Sequence, residues 1–487
     1  MQPKQKPKPT PCFRPQPLVA AALLVLLLGG CAVGPAYQPP GVPDVSRFKE
    51  AEGWVSAAPA DLLERGPWWL LFGDPVLSEL ASRVAVSNQN VAAAGAAYAQ
   101  ARAVVREQRA SLFPAVTLDG GANRSHSASG SANAASGGGS GRTGSSYQAS
   151  IGASWEPDVW GRLGRAVERS TASALASEAD LAAARLSVQG ELAFNYLTLR
   201  QLDAQKALLE TTLAGFQRTL DITQNRYTAG IAARTDVLQA QTQLANAQAD
   251  DAGLARQRAQ FEHAIAVLVG QAPGNFSLAP AAWNPSVPDV PDVPVGVPSE
   301  LLQRRPDIAA AERSVAAANA QIGIARSAYY PSLSLGASYG LGASRVADLF
   351  SASSSVWSLG LSAAQSLFNA GATTARVEGS EAAHAQAVAR YRQTVLTAFQ
   401  GVEDQLAASR VLLDQQGLRR QASEAADQVE QQVLNRYRSG QVSYTEVITA
   451  QATALNARRA LVQTLADRQV TAVALIQSLG GGWHASR

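Results

Sequence analysis

The sequence predicts a mainly α-helical chain with membrane β-structure. In this prediction, long antiparallel helical hairpins form an α-barrel, and four strands per protomer contribute to a trimeric 12-stranded β-barrel. Three observations predict this class: an internal duplication, long proline-free reaches of helix-forming residues, and four short segments in which apolar and small residues alternate.

Composition excludes several other classes of protein. The chain has 487 residues, 41 of them Lys or Arg and 38 Asp or Glu, for a formal charge of +3. This excess is too small to indicate nucleic acid as a partner. Two cysteines exclude a disulfide-rich scaffold. The apolar run 18–28 is about 11 residues long, too short for a helix that spans a bilayer, so a polytopic helical membrane protein is not expected.

Residues 1–30 have the pattern of a secretory signal peptide, in which basic residues precede a short apolar run. The run ends in Leu28-Gly-Gly-Cys31, which resembles a bacterial lipobox. This resemblance implies cleavage before Cys31, a diacylglycerol thioether on its sulfur and an acylated amino terminus. Ala32 indicates sorting to the outer membrane in such lipoproteins. An ordinary signal peptide with a chance cysteine is the alternative. The segment carries four basic residues and no acid, so its removal leaves 37 basic and 38 acidic residues.

The body of the chain is duplicated. At an offset of 210, segment 226–241 matches segment 436–451 at seven of sixteen positions, where chance gives about one. Upstream, Phe113-Pro114 recurs as Tyr330-Pro331 at an offset of 217. The first copy is therefore seven residues longer between these landmarks, and we expect the Ser/Gly-rich stretch 125–146 to hold the excess as an exposed loop.

The duplication and the proline distribution predict the domain organisation. A proline-rich segment between the copies is expected to be an extended linker. The predicted order is a lipoprotein signal peptide at 1–30, an N-terminal anchor and equatorial segment at 31–74, repeat 1 at 75–272, the linker at 273–298, repeat 2 at 299–480 and a tail at 481–487. Each repeat consists of a helix, two strands and a long helical hairpin.

The proline-free reaches predict two helices per copy, over 162–226 and 234–270 and then over 373–436 and 443–479. Gly230 and Gly440 mark the turns, and Ser443 with Glu446 fits a capping box for the last helix. The first helix of each pair would be roughly 95 Å long. Small residues dominate the seam of the first return helix, so an isolated hairpin has a weak core and needs neighbours.

Four segments alternate with the period of a membrane strand: 115–121, 147–155, 332–341 and 357–363. A soluble half-buried hairpin has the same pattern and is the alternative. The lipoprotein signal and the lack of a membrane helix favour the membrane strand. Four strands cannot close a barrel, whereas a homotrimer supplies twelve. The sequence therefore predicts a trimer that shares one barrel, with its hairpins forming a helical tube.

Four segments carry a resemblance to a known family: 31–37, 68–75, 155–162 and 298–308, the last with the block Arg304-Arg-Pro-Asp-Ile308. They resemble the TolC-like outer-membrane efflux channel family, in its NodT-type branch of lipoproteins from RND efflux systems. The resemblance implies a homotrimeric duct whose barrel crosses the outer membrane and whose α-barrel is periplasmic. It also implies a periplasmic membrane-fusion adaptor and an inner-membrane pump of RND or ABC type as partners.

The resemblance places adaptor docking at the two helix–turn–helix tips. The matching residues are Arg226, Tyr227 and Gly230 in the first tip and Arg436, Tyr437 and Gly440 in the second. The alternative is that each glycine only caps a helix; both roles are compatible, because the cap shapes the surface that docks.

Relatives close the duct just inside the second tip, and some carry Leu after a tyrosine and Asp four residues further on. Here the tyrosine is Tyr444 and those positions are Thr445 and Thr449, which puts an apolar plug or acidic ring there in doubt. Asp236 and Glu446 occupy equivalent repeat positions, so a trimer could present six carboxylates near the entrance. The alternative is that these acids complement helix dipoles.

The sequence gives no reason to expect an enzyme, a cofactor or a metal. Ser338 lies in a G-x-S-x-G pattern, but a nucleophile elbow needs a strand–turn–helix context and Ser338 falls within a predicted strand. The Gly-rich pattern at 139–144 lies in a low-complexity stretch rather than a strand–glycine–helix unit.

The leading interpretation is a passive outer-membrane duct of a tripartite efflux system that exports small toxic compounds or drugs. The same architecture serving type I protein secretion is the nearest alternative. A periplasmic coiled-coil lipoprotein without a pore is an alternative of another class, and an anchored enzyme is the weakest.

Overall fold

A computed structural model of the chain describes residues 33–42, 48–50, 67–127, 142–281 and 305–483. Predictions for the signal peptide, Cys31, most of the linker and the end of the tail fall outside these residues. The described chain divides into two compact units. The first draws on 1–39, 101–174 and 314–387, and the second on 40–100, 175–313 and 388–487, so each unit takes segments from both halves of the sequence.

The described residues contain seven α-helices and four strands, besides short 3₁₀ helices. In chain order the α-helices and strands are α1 (Pro75–Ser87), α2 (Gln89–Ala110), β1 (Ala115–Ser127), β2 (Arg142–Trp155), α3 (Arg162–Thr228), α4 (Arg234–Leu268), α5 (Pro306–Ser327), β3 (Ser332–Ala343), β4 (Ser355–Ala364), α6 (Ala372–Arg438) and α7 (Tyr444–Ser478). Among these described helices, none combines the length and the apolar character that a membrane crossing requires. The predicted mainly helical class with four strands is confirmed.

The duplication recurs in the element boundaries. Helices α2 and α5 begin and end at the upstream sequence offset of 217, whereas α3 and α6, and likewise α4 and α7, begin and end at the downstream offset of 210. The seven extra residues of the first copy therefore lie between the start of β1 and the start of α3, an interval that includes the predicted stretch 125–146. The domain bounds themselves stay predictions.

The four long helices end within two residues of the predicted limits. Helices α3 and α6 each have 67 residues, and α4 and α7 each have 35. The single helix expected at the start of repeat 1 is instead two helices. Asn88 separates them, because its side-chain Oδ1 accepts hydrogen bonds from the backbone N–H groups of Asn90 and Val91 at 2.9 and 3.1 Å and so caps α2.

The strands form one antiparallel sheet in the order β1-β2-β3-β4. An apolar row crosses all four strands through the register partners Leu118, Ile151, Tyr339 and Trp357. A parallel row of small and polar residues, Thr117, Gly152, Ser338 and Ser358, lies on the opposite face. The apolar face is uncovered in the single chain, since Leu118 is 83% exposed and Trp357 is 75% exposed.

Strands β1 and β2 are longer than predicted. The stretch 125–146 was expected to be a loop, but β1 continues to Ser127 and β2 begins at Arg142, with Asn123 paired to Ser146 and Ser125 paired to Gly144. The backbone ladder needs no apolar side chain, so small polar residues extend it. The alternation of apolar residues therefore underestimated the length of these two strands.

The main core of the second unit forms where both hairpins meet α1. Its largest fully buried side chains include Trp68, Leu77, Tyr196, Ile265 and Ile476. Asp74 caps α1 by accepting hydrogen bonds from the N–H groups of Val76 and Leu77 at 2.8 and 3.0 Å. Pro75 at the first helical position is compatible with this start because it has no N–H to satisfy.

Candidate functional site

The two hairpin tips have the same backbone. After α3, the N–H of Gly230 donates to the carbonyl of Tyr227 at 2.9 Å, and the N–H of Ile231 donates to the carbonyl of Arg226 at 2.8 Å. After α6, Gly440 and Gln441 make the equivalent bonds at 2.9 Å each. Gly230 and Gly440 have φ values of 72° and 76°. Both tips are thus Schellman caps, in which the left-handed backbone favours glycine.

The first tip is bound to the second. The Nη1 of Arg226 donates to the backbone carbonyl of Tyr437 at 2.7 Å, and its guanidinium carbon lies 4.7 Å from the centre of the Tyr437 ring. A charge-assisted hydrogen bond and a cation–π contact therefore join the two copies of the duplicated motif.

A small hydrophobic cluster lies beneath this contact. Its buried members are Ala240, Tyr437, Tyr444 and Val447. The Tyr437 and Tyr444 rings lie 5.6 Å apart at a tilt of 54°, and the Tyr437 hydroxyl is 3.2 Å from Thr223 Oγ1. Burial, together with the charges of Tyr437 and Asp236, raises the pKa of Tyr444 to about 12. We call these four residues the tip cluster.

The predicted docking residues differ in accessibility. Tyr437 is 3% exposed and supports the second tip from inside, whereas its counterpart Tyr227 is 40% exposed. Gly230, Arg436 and Gly440 are exposed, and Arg226 is half-buried against Tyr437. The ring of Tyr437 is thus unavailable to a partner. A docking role for the other residues stays a prediction.

The predicted gate residues lie at the start of the two return helices. Thr445 and Thr449 are exposed on α7, and the Thr449 hydroxyl donates to the Thr445 carbonyl at 3.0 Å. Glu446 is exposed, and its carboxylate accepts the Ser443 N–H at 3.4 Å, which completes the predicted capping box. Asp236 is half-buried at the equivalent third position of α4. Tyr444 lies inside the tip cluster, so its ring does not face the same way as the threonines.

Two hydrogen bonds that the sequence analysis missed join the end of each hairpin to the residue just before α2 or α5. We call these two hydrogen bonds the braces. Arg305 Nη1 donates to the carbonyl of Ser478 at 2.8 Å, and Asn88 Nδ2 donates to the carbonyl of Leu268 at 2.8 Å. The two donors are related by the offset of 217 and the two acceptors by the offset of 210, as the duplication requires. Arg305 also forms a bidentate pair with Asp307 at 3.0 and 2.7 Å. Arg305 and Asp307 of the Arg-Arg-Pro-Asp-Ile block therefore form a structural brace, which the two offsets could have revealed.

A second missed feature is a buried polar network on hairpin 1. Tyr196 donates to Asp74 at 2.6 Å, and Arg200 donates to the Tyr196 hydroxyl at 3.1 Å and to Asp203 at 3.0 Å. Arg258 pairs with Asp203 at 2.7 Å. Burial and the hydrogen bond to Asp74 raise the pKa of Tyr196 well above its usual value. The same guanidinium groups hold the chain after α4, because Arg258 donates to the carbonyl at position 278 and Arg200 to that at 279.

The first described residues pack in the first unit, close to the sheet. The N–H of Val33 donates to the carbonyl of Trp160 at 3.1 Å, and Asn319 Nδ2 donates to the carbonyl of Pro35 at 3.1 Å. Gly34 has a φ of 115°, and a Cβ atom added there would lie 2.6 Å from the Cα of Gly323. Only glycine fits this approach. The chain is thus held in place two residues after Cys31.

Comparison with known proteins decides the family. The model of the outer membrane efflux protein family matches residues 80–271 and 297–481, which together make up most of the chain. The chain belongs to the outer membrane efflux protein family. It is 32% identical over 470 residues to the probable efflux pump outer membrane protein TtgC of Pseudomonas putida, covering 96% of each chain. It is 30% identical over 462 residues to the cation efflux system protein CusC of Escherichia coli, covering 95% of this chain and 98% of CusC.

Solved structures of this outer membrane efflux protein family share the fold. The outer-membrane channel OprN superposes with a TM-score of 0.85 at 29% identity, covering 93% of this chain and all of the solved chain. The resemblance drawn from the four sequence segments is therefore confirmed, and so are the outer membrane location and the role in efflux.

Proposed function

We propose that this member of the outer membrane efflux family is a passive homotrimeric duct that carries small toxic compounds or drugs across the outer membrane. The observation that carries the proposal is the four-stranded sheet, which is apolar on one uncovered face and ends in two edge strands. The strands have 10 to 14 residues. A tilted membrane strand needs about 9–11 residues, so each is long enough to cross.

The edges of the sheet require partners. Within the described residues, β1 and β4 each pair on one side only. Unpaired backbone groups cannot face hydrocarbon, so the sheet must close. Strands β1 and β4 run in opposite directions, and β4 of one copy can therefore pair with β1 of the next in an all-antiparallel barrel. Three copies supply twelve strands, an even number that leaves a lumen.

The hairpins need neighbours for the same reason. Large apolar side chains on the long helices are exposed in the single chain, among them Leu238, Val411, Leu413, Leu418 and Val429. Packing against neighbouring helices would remove these side chains from water, which is favourable. We assign this packing to contacts between copies, which would form the periplasmic α-barrel.

The lipid anchor is proposed on Cys31. Val33, Gly34 and Pro35 are fixed by hydrogen bonds and by the Gly34–Gly323 contact. The Cα atom of Cys31 would therefore lie within about 7 Å of the Cα atom of Val33, since two residues of backbone span no more than that, and the diacylglycerol would extend from there. Its acyl chains would enter the membrane beside the strands of the same protomer.

A passive duct depends on a partner for energy. We assign that role to an inner-membrane pump of RND type, with an ABC pump as the alternative, linked through a periplasmic membrane-fusion adaptor. Docking is proposed at Tyr227, Gly230, Arg436 and Gly440, which are the accessible members of the two tip motifs. Arg226 and Tyr437 would hold those tips in place rather than meet the adaptor themselves.

The periplasmic gate is proposed at the start of α7. The exposed hydroxyls of Thr445 and Thr449 would line it, with Tyr444 fixing the helix from behind.

Asp236 and Glu446 would add a ring of six carboxylates in the trimer. The test is single-channel cation selectivity, which should fall when Asp236→Asn and Glu446→Gln are combined. Asp221→Asn, an exposed acid on α3, is the control and should leave selectivity unchanged; unchanged selectivity in the double variant excludes the ring.

The transport role is tested by disruption of the gene. The curated relatives are described as toluene, antibiotic and cation efflux proteins, so the panel should include an aromatic solvent, several antibiotics and metal cations. We expect increased sensitivity to some of these compounds, restored by the intact chain, together with conductance in planar bilayers. Loss of a secreted protein with normal resistance would favour type I secretion, and lack of conductance would favour a structural lipoprotein.

A further inference from the structure

The two tips place different side chains on one backbone. Their caps have the same hydrogen bonds, and the φ values of Gly230 and Gly440 differ by only a few degrees. At the offset of 210, Thr228 corresponds to Arg438 and Ile231 corresponds to Gln441. The two tips therefore share a backbone conformation and differ in the side chains that the turn presents.

The first tip is apolar at its turn. Ile231 is 68% exposed, and it lies among the exposed small residues Ala229 and Ala233 with Tyr227 one turn back. Most of the apolar surface of Ile231 therefore remains in water in the protomer, and the exposed Arg234 three residues further on adds one cation to this tip. Burial of that surface by a partner would be favourable in proportion to the area removed from water.

The second tip is cationic. Arg436 and Arg438 are both exposed, and neither forms a salt bridge within the described part of the chain. The apex between them and α7 is polar, with Ser439 and Gln441 exposed. A cation is not required to end the helix at this position, because α3 ends with the same cap at Thr228. The charge of Arg438 is thus free to act on a partner.

We propose that the tips are two chemically different docking sites for one periplasmic adaptor. The first tip takes an apolar surface, and the second takes a carboxylate or a cluster of acidic residues. This inference rests on the proposed function, since it assumes that the tips meet an adaptor. A trimer would present three apolar and three cationic sites in alternation, so a repeated adaptor must use two different sets of contacts.

The two chemistries have different dependences on salt. Attraction between exposed charges weakens as the Debye length falls from about 10 Å at 0.1 M to about 3 Å at 1 M salt. Apolar burial does not weaken in this way. The contribution of each tip can therefore be separated by comparing variants at several salt concentrations.

The experiment exchanges side chains between equivalent positions. Variant A combines Thr228→Arg with Ile231→Gln, and variant B combines Arg438→Thr with Gln441→Ile; both keep the glycine caps. The probe is the purified adaptor whose co-expression with the channel restores resistance, and binding is measured to the channel in nanodiscs between 50 mM and 500 mM salt. Bilayer conductance and helix content of each variant show that it is folded.

We expect variant B to weaken binding about tenfold at low salt and to reduce its salt dependence, with Arg436 and Arg234 accounting for the part that remains. Variant A should weaken binding at every salt concentration while keeping or increasing the salt dependence. Equal losses with equal salt dependence in both folded variants overturn the inference and leave the proposed function intact. Absence of adaptor binding by the unmodified channel contradicts the docking part of the proposed function, and with it the inference.

Discussion

The Nη1 of Arg226 lies 2.7 Å from the backbone carbonyl oxygen of Tyr437, and its guanidinium stacks over the Tyr437 ring at 4.7 Å. Arg226 and Tyr437 come from the first and the second copy of one duplicated motif, and their side chains have different structural roles. The arginine of the first copy reaches across to the second, whereas the tyrosine of the second copy fills the tip cluster. One protomer thereby fixes its two tips relative to each other.

Arg226→Lys should loosen this contact. Lysine keeps the charge but loses the planar group that stacks on the ring, and a cation–π contact of this kind contributes roughly 0.5–2 kcal/mol. We expect backbone amides of 437–442 to exchange hydrogen about tenfold faster or more. Arg234→Lys, at an exposed position of the same tip, is the control and should have no effect. Unchanged exchange in Arg226→Lys means that the contact does not hold the tips.

Gly440→Val should strain the second tip. Its φ of 76° costs an ordinary residue roughly 1–2 kcal/mol, and a β-branched residue is least tolerant of it. An added Cβ would meet only Arg226 Nη2 at 4.0 Å, so the penalty comes from the backbone and not from a clash. Gly440→Asn should be milder because asparagine tolerates the left-handed region. Thermal unfolding and adaptor binding measure the effect, and equal behaviour of the two variants would contradict the argument.

Tyr444 predicts a stability change at alkaline pH. Its pKa is raised to about 12 in the folded chain, above the usual value of about 10. The folded state therefore favours the protonated phenol, and this contribution is complete below about pH 10 and is lost as the pH rises through 12. Titration of tyrosinate absorbance should show late components from both Tyr444 and Tyr196, because burial raises the pKa of each, and Tyr444→Phe should remove the component near pH 12. Persistence of that component in Tyr444→Phe assigns it to another tyrosine.

Arg305→Ala should destabilise the second unit. The substitution frees the Ser478 carbonyl and leaves Asp307 without its bidentate partner, at a cost of roughly 1–3 kcal/mol. Arg83→Ala is a matched control, because within the described residues the Arg83 side chain makes only a surface pair with Glu79 at 3.9 Å, worth about 0–1 kcal/mol. Chemical denaturation of both variants in detergent gives the comparison. A loss no larger than that of Arg83→Ala would show that the brace is dispensable.

The sequence predicted most of the fold because glycine, proline and repeat offsets mark element ends locally. The four long helices were placed within two residues on this basis. Burial at the tips could not be predicted, because Tyr227 and Tyr437 occupy equivalent positions and only the packing of one hairpin on the other makes one exposed and the other buried. The extension of β1 and β2 was missed because their outer ends pair through backbone groups, with small polar side chains.

The proposed duct requires that three copies of this chain share one barrel and one tube. Native mass spectrometry of the purified protein in mild detergent tests this oligomeric state, because the described edge strands β1 and β4 need other copies to close the sheet. We expect a particle of three chains that persists on dilution. A stable single chain with a folded sheet would contradict it.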